Sequence, residues 1–205
     1  MQNPSGKTLL IATHNSGKME EMAALLRPYG ISSVGAAAFD LHSPHESAAT
    51  FVGNARIKAH AAAKGSGLIA LGDDSGITID ALAGAPGIHT ADWAETSKGR
   101  DFMHAMARTH AALQSRKAPQ PWHAQFRCTL VLAWPDGRDI ACEGIVHGHL
   151  VWPPKGKTGF GYDPMFTPQN HTKTFGEMRF EEKNRISHRQ RAVSALMDVC
   201  LGTGL

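Results

Sequence analysis

A short continuous apolar run, Thr8–Ala12 (Thr-Leu-Leu-Ile-Ala), predicts a buried strand near the start of the chain. Beyond it Met19, Met22, Ala23, Leu25 and Leu26 recur at helical spacing, Glu20 and Glu21 suit the first turn, and Pro28 to Gly30 stop the helix. A second helix, rich in Ala, is predicted over 50–64 with Thr50 as its N-cap. A strand over 68–71 follows, and Ile77-Thr78-Ile79 alternates after it. Gly84-Ala85-Pro86-Gly87 reads as a turn, 100–113 as a third helix, and 117–121 as a linker-like stretch. Two long strands over 125–134 and 138–150 are joined by Pro135-Asp136-Gly137, a hairpin signal. The stretch 152–164 reads as loop, and a last helix runs from Ser187 toward Leu201 with Val193, Leu196, Met197, Cys200 and Leu201 on one stripe. Helix–strand alternation followed by a hairpin predicts an α/β fold with a mixed sheet. The chain shows no internal repeat and no low-complexity segment.

Composition narrows the function classes. At 205 residues the chain suits one well-cored domain, or one domain with two lobes. Its 42% hydrophobic and 19% charged fractions are ordinary for a soluble globular protein. No run approaches the ~18–20 apolar residues of a membrane span, and the first residues lack the apolar core of a signal peptide. Cys128, Cys142 and Cys200 form no Cys-x-x-Cys, so a reducing, cytoplasmic compartment is expected. The net charge of +3, with no Lys/Arg run, gives no expectation of stable nucleic-acid or membrane partners. It suits an anionic small molecule. The histidines are scattered, without a zinc-type spacing, and His147 and His149 read as surface residues on one strand face.

Four constellations carry chemistry. In Leu71-Gly72-Asp73-Asp74-Ser75-Gly76, two carboxylates and a hydroxyl fall on what reads as a tight turn after the strand. Adjacent like charges repel, and a divalent cation would relieve them, because Mg²⁺ takes a few carboxylates together with phosphate oxygens. A solvated Asp-rich turn explains the same residues. Successive strand side chains point to opposite faces, so Asp73 and Asp74 are expected to divide their roles, one toward the metal and one behind the turn. The second constellation, Thr13-His14-Asn15-Ser16-Gly17-Lys18, lies between the first strand and the first helix. Free helix N–H groups, a glycine and a lysine there suit phosphate, although the P-loop spacing is absent and an ordinary helix start fits too. Both follow strands, which in α/β sheets is the ligand-binding edge.

The third constellation is Ile186-Ser187-His188-Arg189-Gln190. Ser187 and Gln190 read as a capping box, which puts His188 and Arg189 at the end of the helix that disfavours cations. An anionic or carbonyl-bearing ligand would explain this, and so would a salt bridge to Glu181 or Glu182. The fourth, Gly159-Phe160-Gly161-Tyr162-Asp163-Pro164, offers rings to stack on a base and an acid to fix a base edge or ribose; a packed loop fits it equally.

In order, these segments resemble the non-canonical purine nucleoside triphosphate pyrophosphatases, the inosine/xanthosine triphosphate pyrophosphatase family. The matching motifs are Thr-x-Asn-x-Gly-Lys at 13–18, Asp-Asp-Ser-Gly at 73–76 with Ala-x-x-Gly-x-Pro-Gly at 81–87, Gly-Phe-Gly-Tyr-Asp-Pro at 159–164 and Glu-Lys-x-x-x-Ser-His-Arg at 182–189. The resemblance covers residues 9–201. It implies a Mg²⁺-dependent hydrolase that converts dITP, ITP and XTP to the monophosphate and pyrophosphate. It also implies an elongated mixed sheet in two helix-flanked lobes with the nucleotide between them, and a homodimer. By the same resemblance Thr13, His14, Asn15, Ser16, Gly17 and Lys18 hold the triphosphate, and Asp74 is catalytic base and metal ligand with Glu46 as second metal carboxylate. Ser75 stands beside the substrate, while Phe160, Gly161, Tyr162, Asp163, Lys183, His188 and Arg189 form the base pocket. Donor-only Lys183 and Arg189 suit a 6-keto oxygen and mismatch the 6-amino group of adenine.

Two departures stand out. The family's Thr-Phe-x-Glu-Asn is here Thr50-Phe51-Val52-Gly53-Asn54, and its Ser-Ala-Arg is Thr90-Ala91-Asp92. Gly53 should weaken the second helix by ~1 kcal/mol and leave fewer carboxylates for metal. Two other functions fit the same motifs: a related pyrophosphatase acting on modified or standard nucleotides, and a nucleotide-binding regulator without catalysis.

Overall fold

The computed structural model describes Pro4 and residues 7–202. Its elements in chain order are β1 (Thr8–Ala12), α1 (Ser16–Leu26), β2 (Ser32–Gly35), α2 (Phe51–Ser66), β3 (Ala70–Ile79), the short β4 (Glu95–Thr96) and β5 (Gly99–Arg100), and α3 (Phe102–Ser115). Then come β6 (Trp122–Ala133), β7 (Asp139–Leu150), β8 (Phe166–Pro168), α4 (Phe180–Ile186) and α5 (His188–Leu201). Six strands form one sheet in the order β2-β1-β3-β6-β7-β8, and β4 pairs with β5 separately. β1 runs parallel to β2 and β3, whereas β7 and β8 are antiparallel, so the sheet is mixed as the alternation of elements predicts.

The chain divides into two compact units. The first comprises Met1–Asp74, Cys128–Gly144 and Arg189–Leu205. Its strands bury both faces. Leu9, Ile11, Leu71, Cys128, Leu130 and Leu132 pack with Met22, Leu25 and Leu26 of α1 and with Val193, Leu196 and Met197 of α5. Leu10, Ala70, Val131 and Ala133 face the other way, onto Ala55, Ala59, Ala62 and Ala63 of α2. The alternation along each strand assigns the two layers. The second unit, Ser75–Arg127 and Ile145–His188, has its own core, in which Phe126, Tyr162, Phe166 and Phe175 meet Ile77, Ile79, Met106 and Leu113.

Caps set the helix starts. Asn15 accepts from Lys18 N at 3.0 Å, Thr50 from Gly53 N at 3.1 Å, and Asp101 from Met103 N at 2.8 Å. Gly67 closes α2 in the left-handed region, at φ 72°. Five short elements escaped the sequence pattern: β2, β4, β5, β8 and α4. The largest correction concerns residues 71–76. They form no turn; β3 runs unbroken from Ala70 to Ile79, and Asp73 and Asp74 are buried within it. Carboxylates are depleted from strands unless their charge is met, and here it is met.

Candidate functional site

β3 directs Asp73 and Asp74 to its two faces, and each finds a different cation. On the α2 side Asp74 Oδ1 accepts from Lys58 Nζ at 3.0 Å, and the same ammonium reaches Glu46 Oε2 at 2.8 Å. Asn54 Nδ2 lies 3.4 Å from Asp74 Oδ2, while its Oδ1 accepts from Ala48 N at 3.0 Å and so ties the loop before α2 into the group. Asn54 and Lys58 sit four residues apart, on one face of α2. Gly72 makes their approach feasible. A Cβ there would overlap the Ala55 carbonyl oxygen and stand 2.9 Å from Ala59 N, so only glycine lets α2 lie this close to β3. Burial pushes the Asp74 carboxyl up to about 6, against the pull of Lys58 and Lys18, and Glu46 adds to the rise. Burial alone would lower Lys58; Asp74 foremost, then Glu46, outweigh it and hold the ammonium charged.

On the other face Asp73 Oδ1 accepts from Lys18 Nζ at 3.1 Å, and Asp73 Oδ2 accepts from Arg189 Nε at 2.9 Å. Arg189 Nη1 donates to Glu21 of α1. Burial opposes the guanidinium charge, but Asp73 and Glu21 reverse that effect and raise its pKa. Asp73 and Asp74 thus face opposite sides of β3, as the opposite-face argument expects. In the same unit Thr13 Oγ1 accepts from Asn15 N at 3.2 Å and shapes the loop into α1; His14 and Ser16 are exposed.

The second unit gathers a lysine and an acid among aromatic rings. Lys183 Nζ donates to Asp163 Oδ2 at 2.6 Å, and both side chains are about 97% buried or more. The ammonium stands 4.7 Å from the Phe160 ring centroid and 5.8 Å from that of Phe175. Asp163 Oδ2 also accepts from Phe160 N at 2.8 Å. Gly159, at φ 73°, is required here, because a Cβ would run into the Asp163 carboxylate. His188 stacks on Phe126, centroids 4.8 Å apart and planes within 10°.

Two residues of the expected base pocket have partners inside the protein. Tyr162 is a core residue: its hydroxyl pairs with Thr109 Oγ1 at 3.0 Å and donates to the Ala105 carbonyl, and burial pushes it up to about 12. Arg189 belongs with the first unit's acids, on Asp73 and Glu21, and neither Glu181 nor Glu182 is its partner in these bonds. Asp163 and Lys183 do come together, and Phe160 joins them through its backbone and ring. Lys58, Asn54, Glu21 and Phe126 were missed. The i, i+4 pair Asn54/Lys58 on an otherwise Ala-rich face was the one available signal.

A mixed α/β sheet whose central strand carries two buried acids, each matched to a lysine, defines the class of protein. The chain belongs to the Ham1 family, which matches residues 9–199. It is 64% identical over 197 residues to the dITP/XTP pyrophosphatase of Ruegeria pomeroyi, covering 96% of this chain and 97% of that one. It is 47% identical to the enzyme of the same name from Agrobacterium fabrum, over 98% and 99% of the two chains. Among solved structures, a HAM1 protein from Coxiella burnetii is similar with a TM-score of 0.85 and 36% identity, covering 95% of this chain and 98% of that one. The Staphylococcus aureus Ham1 protein aligns at 0.81 with 29% identity, over 96% and 100%.

Proposed function

We propose that this chain hydrolyses dITP, XTP and related purine nucleoside triphosphates to the monophosphate and pyrophosphate. The observation that carries this reading is the Asp74–Lys58–Glu46 centre on β3, in a chain 64% identical over 96% of its length to a dITP/XTP pyrophosphatase.

Mg²⁺ is the proposed cofactor, held by Glu46 and Asp74. The donor set fits it: the two carboxylates converge on one cation, the Lys58 ammonium, at 2.8 and 3.0 Å. Among the described residues no cluster of three or more acidic, His or Cys side chains could hold a metal, so phosphate oxygens and water would complete the shell. When bound, the metal would neutralise charge on the polyphosphate.

The residues then divide the work. Asp74 orients a water and takes its proton as the water oxygen bonds to the α-phosphorus. The bridging α–β bond breaks and pyrophosphate leaves. Lys18, held by Asp73, and the free N–H groups at the start of α1 bind the polyphosphate. In the second unit the donor-only Lys183 ammonium receives a 6-oxo group and has no bond to accept from a 6-amino group, which disfavours adenine. The homodimer is proposed from the family resemblance and the cytoplasmic setting from the cysteine pattern; sedimentation of the purified chain tests the former.

Purified protein with Mg²⁺ and a panel of dITP, XTP, dATP and dGTP tests the reading. dITP and XTP should exceed dATP in kcat/KM by at least a hundredfold. Equal rates on dATP and dITP would favour the alternative of a general nucleotide pyrophosphatase, and binding without turnover would favour a regulator.

A further inference from the structure

Asn54 has no part in the chemistry proposed above, yet it joins the two carboxylates that serve it. Glu46 comes from a stretch without helix or strand, 41–50, and its side chain is 40% exposed. A carboxylate on such a stretch stands only as firmly as its backbone does. Two residues beyond Glu46, the Ala48 N–H donates to Asn54 Oδ1 at 3.0 Å. Asn54 lies in the first turn of α2 and is 4% exposed, and α2 is itself fixed by packing on Leu10, Ala70 and Val131. Gly53 admits the approach, since a Cβ there would stand 2.5 Å from that of Ala48.

Both ends of the amide are assigned by their partners. The Ala48 N–H can only donate, so Oδ1 faces it, and Nδ2 is left to donate to Asp74 Oδ2, 3.4 Å away. Lys58 Nζ holds the other oxygen, Asp74 Oδ1, at 3.0 Å. One side chain thus grips the loop with its acceptor and the strand with its donor. Metal ligands need placement to about 0.5 Å, and the groups that orient them typically govern roughly 10–100-fold of affinity. We infer that Asn54 is a positioning residue for divalent-cation binding: it fixes the backbone beside Glu46 against Asp74, and so sets the spacing of the two carboxylates. The inference rests on the reading that Glu46 and Asp74 hold Mg²⁺. Gly53, in the same turn of α2, supplies no carboxylate that could take over if Glu46 drifts.

Two variants of the full chain separate the two halves of the amide. Asn54→Asp keeps an acceptor for Ala48 and gives up the donor; Asn54→Leu keeps the bulk and gives up both. Without nucleotide, binding of Mn²⁺, an ion of the same oxygen-seeking class, is titrated by electron paramagnetic resonance, and exchange of the Ala48 amide is followed by NMR. Asn54→Leu should bind Mn²⁺ about tenfold or more weakly, with faster Ala48 exchange. The Mg²⁺ needed for half-maximal dITP turnover should rise to match, while kcat at saturating Mg²⁺ stays close to wild type. Asn54→Asp should bind Mn²⁺ at least as tightly as the wild type and keep Ala48 exchange slow.

Wild-type Mn²⁺ binding in the folded leucine variant would overturn the inference, and so would equal losses in both variants. If the leucine variant does not fold, the aspartate variant decides. Retained binding with slow Ala48 exchange supports the inference, and weakened binding with Ala48 still slow overturns it. A wild-type chain that binds no Mn²⁺ would instead overturn the metal reading itself, and this inference with it.

Discussion

Lys58 and Asp74 form an ion pair of 3.0 Å in which the lysine is shared with Glu46 at 2.8 Å, so the two carboxylates converge on a cation supplied by the protein itself. That convergence explains how a strand can hold Asp74 buried, and it is the position proposed above for Mg²⁺. It also separates the two adjacent acids: Asp74 faces α2 and Lys58, and Asp73 faces Lys18 and Arg189.

Asp74→Asn should lower kcat on dITP by ~10²–10⁴-fold, the usual worth of a positioned general base, while circular dichroism stays unchanged. Kinetics like those of the wild type would refute the role.

The same residue gives the metal-free protein a defined pH dependence. Its folded value, about 6, lies above the ordinary carboxylate value of about 3.9. The folded chain therefore binds this proton more tightly than the unfolded chain. Stability from this group is fully present below the lower value and is lost as pH rises through the higher one, by roughly 2–3 kcal/mol. Asp74→Asn removes that slope. In urea unfolding without metal, the variant should gain on the wild type between pH 4.5 and 7.5; parallel curves would contradict the buried, proton-holding state.

Gly72→Ala places a methyl against the Ala55 carbonyl and Ala59 N. Overpacking of this kind costs about 1–3 kcal/mol, and here it also lifts Asn54 and Lys58 from Asp74. A lower thermal midpoint together with a kcat loss in the folded fraction is expected. Lost stability with full activity would show that the helix position does not matter to the site.

Gly53→Ala sets two effects against each other. Helix propensity alone would stabilise α2 by about 1 kcal/mol. A Cβ at Gly53, however, would stand 2.5 Å from Ala48 Cβ, and Ala48 N is bonded to the Asn54 amide that reaches Asp74. The contact should win, so the variant melts below the wild type. A rise in midpoint would mean the loop gives way freely, and that the glutamate common in the family could be restored here.

Sequence pattern made most of this legible, and the failures have physical causes. Apolar runs and periodic spacing located β1, α1, α2 and the two long strands, and Thr50 marked the start of α2. The Asp73-Asp74 pair read as a turn because its compensating charges are remote in sequence: Lys18 lies 55 residues away and Arg189 lies 116. The opposite-face division of the two acids was readable, since it needs only strand geometry. The partners of Arg189 were not readable for the same reason: Asp73 and Glu21 are remote from it in sequence. Gly159 and Asp163 are close in sequence, and the loop they shape was correspondingly recognisable.

The most direct measurement is ³¹P NMR of dITP turnover with Mg²⁺ in ¹⁸O-labelled water. Attack at the α-phosphorus predicts unlabelled pyrophosphate and dIMP carrying one ¹⁸O. Release of orthophosphate, or label in the pyrophosphate, would contradict it.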